Sequence, residues 1–224
     1  MLFNNISYAF NKKVEFTKNL SFNLEEEKVN FLIGKNGSGK TTLIDIILGL
    51  RKSNITPLKA KDFIYINQML PILDSIKVKD AAELVLGIEY GISNISLSFL
   101  EDKVDDYTYN FLKSNWDKRY SELSGGNQKL SQLLLFLQVD RKLVVLDEPT
   151  AFLDRQNAMK LFNVIKKHSN RTYLIVTHDI RDLRAFEQFR VVFLEDAKVK
   201  ASFSEKEFLN NEYDDNFLDC FLNY

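Results

Sequence analysis

Nine residues near the start of the chain have the types and spacing of a phosphate-binding loop. They are Gly34, Lys35, Asn36, Gly37, Ser38, Gly39, Lys40, Thr41 and Thr42. Glycines allow backbone N–H groups to turn toward phosphate oxygens, and the start of a following helix adds partial positive charge. Lys40 is then placed to reach the β- and γ-phosphates, and the Thr41 hydroxyl to ligate Mg²⁺. We therefore predict that the chain binds a nucleoside triphosphate, in preference to a turn that merely needs glycine.

The segments on both sides of this loop support that prediction. Residues 29–33 form an apolar run typical of a buried strand, and residues 43–48 have the spacing of a buried helix. The pattern G-x-x-x-x-G-K-[ST] indicates a phosphate cradle when it lies between a strand and a helix.

Two acids and a histidine follow other predicted strands. Asp147 and Glu148 come after the apolar run 143–146, and His178 follows the run 172–176. Open α/β sheets bind ligands at the carboxyl ends of their strands. Asp147 there suits the outer shell of Mg²⁺, Glu148 suits a base that polarises a water, and His178 can donate to a γ-phosphate. The alternatives are acids that cap the next helix and a structural histidine.

Gln68 follows a fourth predicted strand, residues 63–66. An amide just beyond a buried strand end is placed to contact a metal ion or a γ-phosphate. A surface glutamine with no such role is the alternative.

A second glycine motif opens a long apolar helix predicted over residues 129–139. Ser124 is a good N-cap, but a cap does not require the two glycines that follow it, Gly125 and Gly126. Backbone donors at this helix start are therefore candidates for a phosphate contact. A plain capped helix is the alternative.

Residues 2–24 alternate apolar and polar side chains, which predicts two half-buried strands with a turn at 11–13. Phe10 lies at the tip of this hairpin, where its ring can stack on adenine for about 1–3 kcal/mol. Packing of Phe10 within the sheet is the alternative, and Tyr8 is the second candidate for stacking.

Between residues 74 and 122 the spacing of apolar side chains becomes helical, which predicts a small helical lobe. Its helices are expected at 79–86 and 99–113, with breaks at Gly87 and Gly91. Trp116 is expected to pack inside this lobe. Residues 191–203 predict a closing hairpin, and 205–224 a short helix with a tail.

Composition excludes several classes of protein. The 224 residues carry 30 Lys plus Arg against 31 Asp plus Glu, so no basic field is present to capture nucleic acid. One cysteine, Cys220, excludes an internal disulfide. Because no apolar stretch approaches the roughly 20 residues of a membrane span, we expect a cytoplasmic protein whose work at a membrane needs a partner.

The order of these motifs resembles the ATP-binding cassette (ABC) ATPase family. The resemblance lies in the phosphate loop, the glutamine after a strand, LSGGNQ at 123–128, LVVLDEP at 143–149 and the strand ending in histidine. It implies an α/β P-loop NTPase core with a mostly parallel sheet, an antiparallel β subdomain and an inserted helical subdomain. The implied division is a single ABC domain: core and β subdomain at 1–73 and 123–205, helical subdomain at 74–122 and tail at 206–224.

The resemblance also implies roles for the residues. ATP is held by the loop 34–42 and Phe10, Mg²⁺ by Thr41, Gln68 and Asp147, and hydrolysis needs Glu148 as base, with His178 and Gln68. Ser124, Gly125 and Gly126 look like the signature that meets ATP held by a second cassette, a homodimer or paralogue partner, with Asp154 at the seam.

The implied function is the ATP-hydrolysing subunit of a transporter whose membrane-spanning permease is a separate chain, which would hold this subunit on the cytoplasmic face of the membrane. A soluble ABC ATPase of cofactor assembly, such as iron–sulfur assembly, is the alternative. The chain departs from the family at Glu27-Lys28, at Phe31 and at Ala197, where glycine is usual in a turn with positive φ.

Overall fold

The computed structural model describes residues 1–11, 14–68, 74–210 and 215–222. The chain divides into two compact units. The first comprises Met1–Tyr65, Lys142–Glu148 and Asn170–Tyr224, and the second Ile66–Arg141 and Pro149–Ser169. The division into subdomains made from the sequence stays a prediction.

The first unit contains two sheets. Strands β1 (Leu2–Asn11) and β2 (Val14–Asn23) pair antiparallel, which confirms the hairpin; Lys12 and Lys13 of its predicted turn lie outside the described residues. The second sheet has the order β4-β5-β6-β3-β7-β8. Its strands are β3 (Val29–Ile33), β4 (Phe63–Ile66), β5 (Leu143–Asp147), β6 (Thr172–Val176), β7 (Phe189–Glu195) and β8 (Lys198–Ser204).

The strands at the centre of the large sheet are mostly apolar and pair in parallel. Every residue of β3, β5 and β6 is buried, as expected for strands covered on both faces. β3 pairs with β6 and β7, and β5 with β6, all in parallel register. Their carboxyl ends therefore meet at one edge of the sheet, and Asp147 lies opposite Val176.

Helix α1 (Lys40–Ile47) follows the glycine loop and is part of the same core. Leu43, Ile44 and Ile47 are fully buried and pack with side chains of β3, β5 and β6. The carboxyl end of β3 and the start of α1 thereby hold the loop between them.

The chain closes with the predicted hairpin and three short helices. β7 and β8 pair antiparallel, and the helices are α8 (Ile180–Leu183), α9 (Glu205–Asn210) and α10 (Asn216–Leu222). In the turn between β7 and β8, Asp196 and Ala197 have φ of 46° and 55°. The turn therefore has the positive φ that favours glycine, and alanine occupies it.

The second unit is helical and has its own core. Its elements are α2 (Val78–Ala82), a π turn (Glu83–Gly87), α3 (Ile88–Tyr90), α4 (Leu97–Leu100), α5 (Asp106–Asn115), α6 (Gly125–Leu137) and α7 (Arg155–Lys167). Val78, Leu86, Leu112 and Tyr120 are among the buried side chains of this core, and Trp116 packs against it as predicted.

The predicted break at Gly87 was wrong. Residues 78–90 form one continuous helical segment, with Gly87 in right-handed conformation inside it. A Cβ at Gly87 would lie 2.7 Å from the carbonyl oxygen of Ile92, so this glycine serves close packing. Gly91 does end the helix, with φ of 67°. Over the ranges described, the longest apolar helices fall short of what is needed to cross a membrane.

Candidate active site

The phosphate loop encloses the Lys40 ammonium group. Lys40 is the first residue of α1 and only 7% of it is exposed. Its Nζ donates to the carbonyl oxygens of Gly34 at 2.8 Å and Lys35 at 3.0 Å. Burial lowers the pKa of Lys40, while the carboxylates of Glu148 and Asp147 raise it. A buried cation is thus held under the loop backbone, facing two acids.

The turn between β7 and β8 braces the same loop. A Cβ at Gly34 would lie 2.2 Å from the carbonyl oxygen of Leu194, so only glycine fits there. The Ala197 N–H donates to the Ser38 carbonyl oxygen at 3.0 Å. Because both contacts are made by backbone, they set the position of the loop irrespective of side-chain motion.

Asp147 occupies the carboxyl end of β5 and is 8% exposed. Burial raises the pKa of Asp147, and Lys40 together with hydrogen bonds from Tyr65 and Thr41 lowers it. The Tyr65 hydroxyl lies 3.4 Å from Asp147 Oδ2. Two of the three predicted metal ligands, Thr41 and Asp147, are therefore brought together.

Glu148 follows Asp147 in left-handed conformation, with φ of 50°. Its backbone N–H donates to the Val176 carbonyl oxygen at 3.0 Å, which continues the β5–β6 pairing while the side chain turns away. Burial, followed by the charge of Asp147, raises the pKa of Glu148 to about 7. A carboxyl group with that pKa can both take and return a proton near neutral pH.

His178 follows β6, and its Nε2 lies 3.1 Å from Glu148 Oε1. Burial, and secondarily the charge of Lys40, lowers the pKa of His178, so the imidazole is neutral at pH 7 and one ring nitrogen carries a proton. The side chain remains 41% exposed. It can therefore contact both Glu148 and a ligand.

This group of residues fits a magnesium–triphosphate. The hydroxyl of Thr41 and the carboxylate of Asp147 are the hard oxygen ligands that Mg²⁺ prefers. The Ser38 hydroxyl is buried, and its Oγ has no hydrogen-bond partner among the described residues. A phosphate oxygen would supply that partner, and the Lys40 ammonium would neutralise its charge.

Phe10 is 49% exposed and forms edge contacts with Tyr8 and Phe16 at centroid distances of 5.3 and 5.6 Å. The Arg51 guanidinium lies 5.9 Å from its ring centroid. The ring that touches the phosphate loop is that of Phe16, since a Cβ at Gly39 would lie 2.5 Å from it. Stacking of adenine on Phe10 stays a prediction, with Tyr8 still the second candidate.

The other predicted site residues lie in the second unit. Gln68 is exposed, and its part in a metal site stays a prediction. Ser124 caps α6 by accepting from the Asn127 N–H at 3.4 Å, and Asp154 caps α7 by accepting from the Asn157 N–H at 2.8 Å.

Neither glycine of the signature is needed for packing within its own unit. A Cβ at Gly125 would meet nothing within 4 Å, and one at Gly126 would make ordinary contacts of 3.5 Å or more. Both residues lie in the first turn of α6.

Sequence reasoning missed Tyr65, Phe16 and the bracing role of Ala197. Tyr65 lies in the strand that precedes Gln68, so its place near a strand end was an available signal. Phe16 lies across the hairpin from Tyr8 and Phe10, and its contact depends on how β2 meets the loop. Ala197 was noted only as a departure from glycine.

A family model described as ABC transporter matches residues 17–151. The energy-coupling factor transporter ATP-binding protein EcfA2 of Staphylococcus epidermidis is 29% identical over 216 residues, which cover 85% of this chain and 75% of that protein. A probable iron chelatin transport ATP-binding protein of Helicobacter pylori is 32% identical over 220 residues, covering 87% and 83%.

Solved structures show the same fold. The ADP conformation of an ATP-binding cassette of an ABC transporter superposes with a TM-score of 0.72 at 23% identity, covering 97% of this chain and 96% of that one. A dimeric bacterial ABC transporter cassette gives a TM-score of 0.69 at 23% identity, with 91% and 98% covered.

Proposed function

This chain belongs to the ABC transporter family and is a transporter ATPase, and from that premise we propose how it works. Two cassettes, either two copies of this chain or this chain and a paralogue, close on ATP and power transport through a separate membrane-spanning subunit. The observation that carries the proposal is the meeting of Lys40, at the start of α1, with Glu148 and His178, which follow β5 and β6.

The proposed chemistry assigns each side chain one task. Lys40 and the N–H groups of the loop 34–42 bind the phosphates and neutralise their charge. Glu148 accepts a proton from the attacking water, which its raised pKa suits. His178 donates its one N–H to the γ-phosphate.

Magnesium is proposed to be held by Thr41 and Asp147, with Gln68 as a third ligand. When bound, it supplies charge neutralisation on the β- and γ-phosphate oxygens. Burial raises the pKa of Asp147, and Lys40 together with hydrogen bonds from Tyr65 and Thr41 partly counteracts that rise.

The second cassette is proposed to contribute Ser124, Gly125 and Gly126 to the γ-phosphate of the first. Open space around the position of a Gly125 Cβ supports this, because it leaves room for a group from outside the unit. A helix start that presents N–H groups is suited to an anion. Asp154 is proposed to lie at the seam, where it couples the two sites.

The membrane-spanning subunit is proposed because the family relatives are named as ATP-binding proteins of transporters. This chain would then be peripheral on the cytoplasmic face of the membrane. The alternative, a soluble ATPase of cofactor assembly, gains no support from these relatives.

The test is the substitution Glu148→Gln. The variant should bind ATP with unchanged affinity, lose steady-state hydrolysis and accumulate as an ATP-bound dimer, measured by light scattering coupled to gel filtration. Glu101→Gln, which changes an exposed carboxylate, serves as the control and should keep wild-type turnover. Normal hydrolysis by Glu148→Gln would overturn the assignment of the base, and failure to pair would overturn the dimer.

A further inference from the structure

The segment that carries His178 is tied down by a fully buried polar pair. Thr177 and Asp182 are 0% and 1% exposed, and the Thr177 hydroxyl donates to Asp182 Oδ2 at 2.7 Å. A buried carboxylate is costly unless it is hydrogen-bonded. Breaking this hydrogen bond in the folded protein would therefore cost free energy.

The same hydroxyl also binds the residue on the other side of the histidine. The Asp179 N–H donates to Thr177 Oγ1 at 3.1 Å, and the Asp182 N–H donates to the Asp179 carbonyl oxygen at 3.0 Å. Both neighbours of His178 are thus linked to one buried carboxylate. The imidazole itself is left to contact Glu148 at 3.1 Å.

We propose that Thr177 and Asp182 are positioning residues for His178. They hold the backbone on both sides of the histidine so that its imidazole meets the Glu148 carboxylate and, on the proposed function, the γ-phosphate. Neither residue touches the reacting atoms. A displacement of about 1 Å in a catalytic group costs up to about a hundredfold in rate, so loss of the pair is expected to lower kcat.

The chain offers a direct readout of the imidazole, because it contains two histidines. In nucleotide-free protein, the imidazole ¹³C and ¹⁵N resonances of His178 should shift in Thr177→Val, while those of His168 stay in place. Thr177→Ser keeps the hydroxyl and should restore the wild-type His178 signals. The shift reports local geometry and does not depend on hydrolysis.

The matched control is Thr172→Val. Thr172 lies at the other end of β6, is 4% exposed, and its hydroxyl accepts from the Glu27 N–H at 3.0 Å. The Thr172→Val variant loses a buried hydrogen bond of the same kind, at the opposite end of the strand from His178. We expect it to lower stability without shifting the His178 resonances or kcat.

Kinetics complete the test. Thr177→Val should lower kcat by about tenfold to a hundredfold with little change in nucleotide affinity. Asp182→Asn keeps the size of the side chain and should also shift the His178 resonances, so the proposal remains testable if Thr177→Val does not fold. Unmoved His178 resonances in both variants would overturn the proposal. Full activity of His178→Ala would instead overturn the role of the histidine itself, which the resonance test does not require.

Discussion

At the scale of single residues, the functional group with the strongest environmental effect is the Glu148 carboxyl. Burial and the neighbouring Asp147 raise its pKa from 4.5 to about 7, and its backbone adopts a left-handed conformation that non-glycine residues seldom take. Both features cost folding free energy. Glu148 therefore lowers the stability of the fold at the end of a central strand. A catalytic role explains such a residue better than a structural one.

The raised pKa of Glu148 predicts how stability depends on pH. Between the unfolded pKa and about 7 the folded state binds the extra proton, so this group makes stability fall as pH rises through that window. Glu148→Gln removes the effect. We expect the variant to be more stable than wild type by about 1–3 kcal/mol near pH 8, with the difference vanishing near pH 4.

Urea unfolding of both proteins across this pH range measures the difference. The comparison is between variants at each pH, so the titration of groups that do not interact with Glu148 cancels. An equal difference at both ends of the range would contradict the prediction.

At the scale of elements, the β7–β8 turn combines strain with a positioning contact. Ala197 has φ of 55° and is 6% exposed, while its N–H holds the phosphate loop. The left-handed conformation costs a non-glycine residue roughly 1–2 kcal/mol. The contact to Ser38 is made by backbone and therefore survives a change of side chain.

Ala197→Gly is accordingly expected to stabilise the protein by about 0.5–1 kcal/mol, after the larger unfolded-state entropy of glycine is subtracted. Thermal unfolding of the variant and the wild type measures this change in stability. Ala201→Gly in the interior of β8 is the control, since there glycine should destabilise by about 0.5–1 kcal/mol. A loss of stability in both variants would refute the account of strain.

The start of β3 depends on a buried asparagine. Asn30 is 0% exposed, and its Nδ2 donates to the carbonyl oxygens of Glu25, Lys28 and Tyr173 at 2.9, 3.2 and 3.1 Å. Its Oδ1 accepts from the Glu25 N–H at 2.8 Å. One amide thus ties the turn before β3 to the strand and to β6.

We expect Asn30→Ala to destabilise the protein by about 2–4 kcal/mol, because several buried backbone groups lose their partner at once. Denaturant unfolding monitored by circular dichroism measures the loss. Asn110→Ala on the exposed face of α5 is the control and should change stability by about 0.5 kcal/mol or less. Equal stability of the two variants would show that the amide contributes nothing.

Elements were predictable wherever the hydrophobic period was unambiguous. The runs of β3, β5 and β6, the cap at Ser124 and the helix after the glycine loop follow from local sequence. Gly87 was misread because its small size serves a tertiary contact with Ile92, while its backbone stays helical. Periodicity carries no information on such a contact.

At the scale of the whole molecule, the proposed pairing gives the glycines of the signature their reason. Gly125→Ala should fold at least as well as wild type, because alanine is the better helix former and the space around it is open. The substitution should nevertheless weaken ATP-induced pairing, because the added methyl group would clash with the γ-phosphate of the ATP that the partner cassette binds.

Pairing is measured by light scattering with ATP in the Glu148→Gln background, with and without Gly125→Ala. The internal control is nucleotide affinity of the unpaired protein, which depends on Lys40 and should not change. Undiminished pairing with Gly125→Ala would remove the signature from the interface.

What the sequence by itself determined is the chemistry: a glycine loop with Lys40 and Thr41, acids after one strand and a histidine after another. These depend on short spacings and strand ends, which local patterns encode. Only tertiary structure decided that Glu148 has a pKa of about 7, that Phe16 contacts Gly39 and that the Ala197 turn supports the loop. Burial and long-range contact depend on segments far apart in the chain, so their physical effects exist only after the chain has folded.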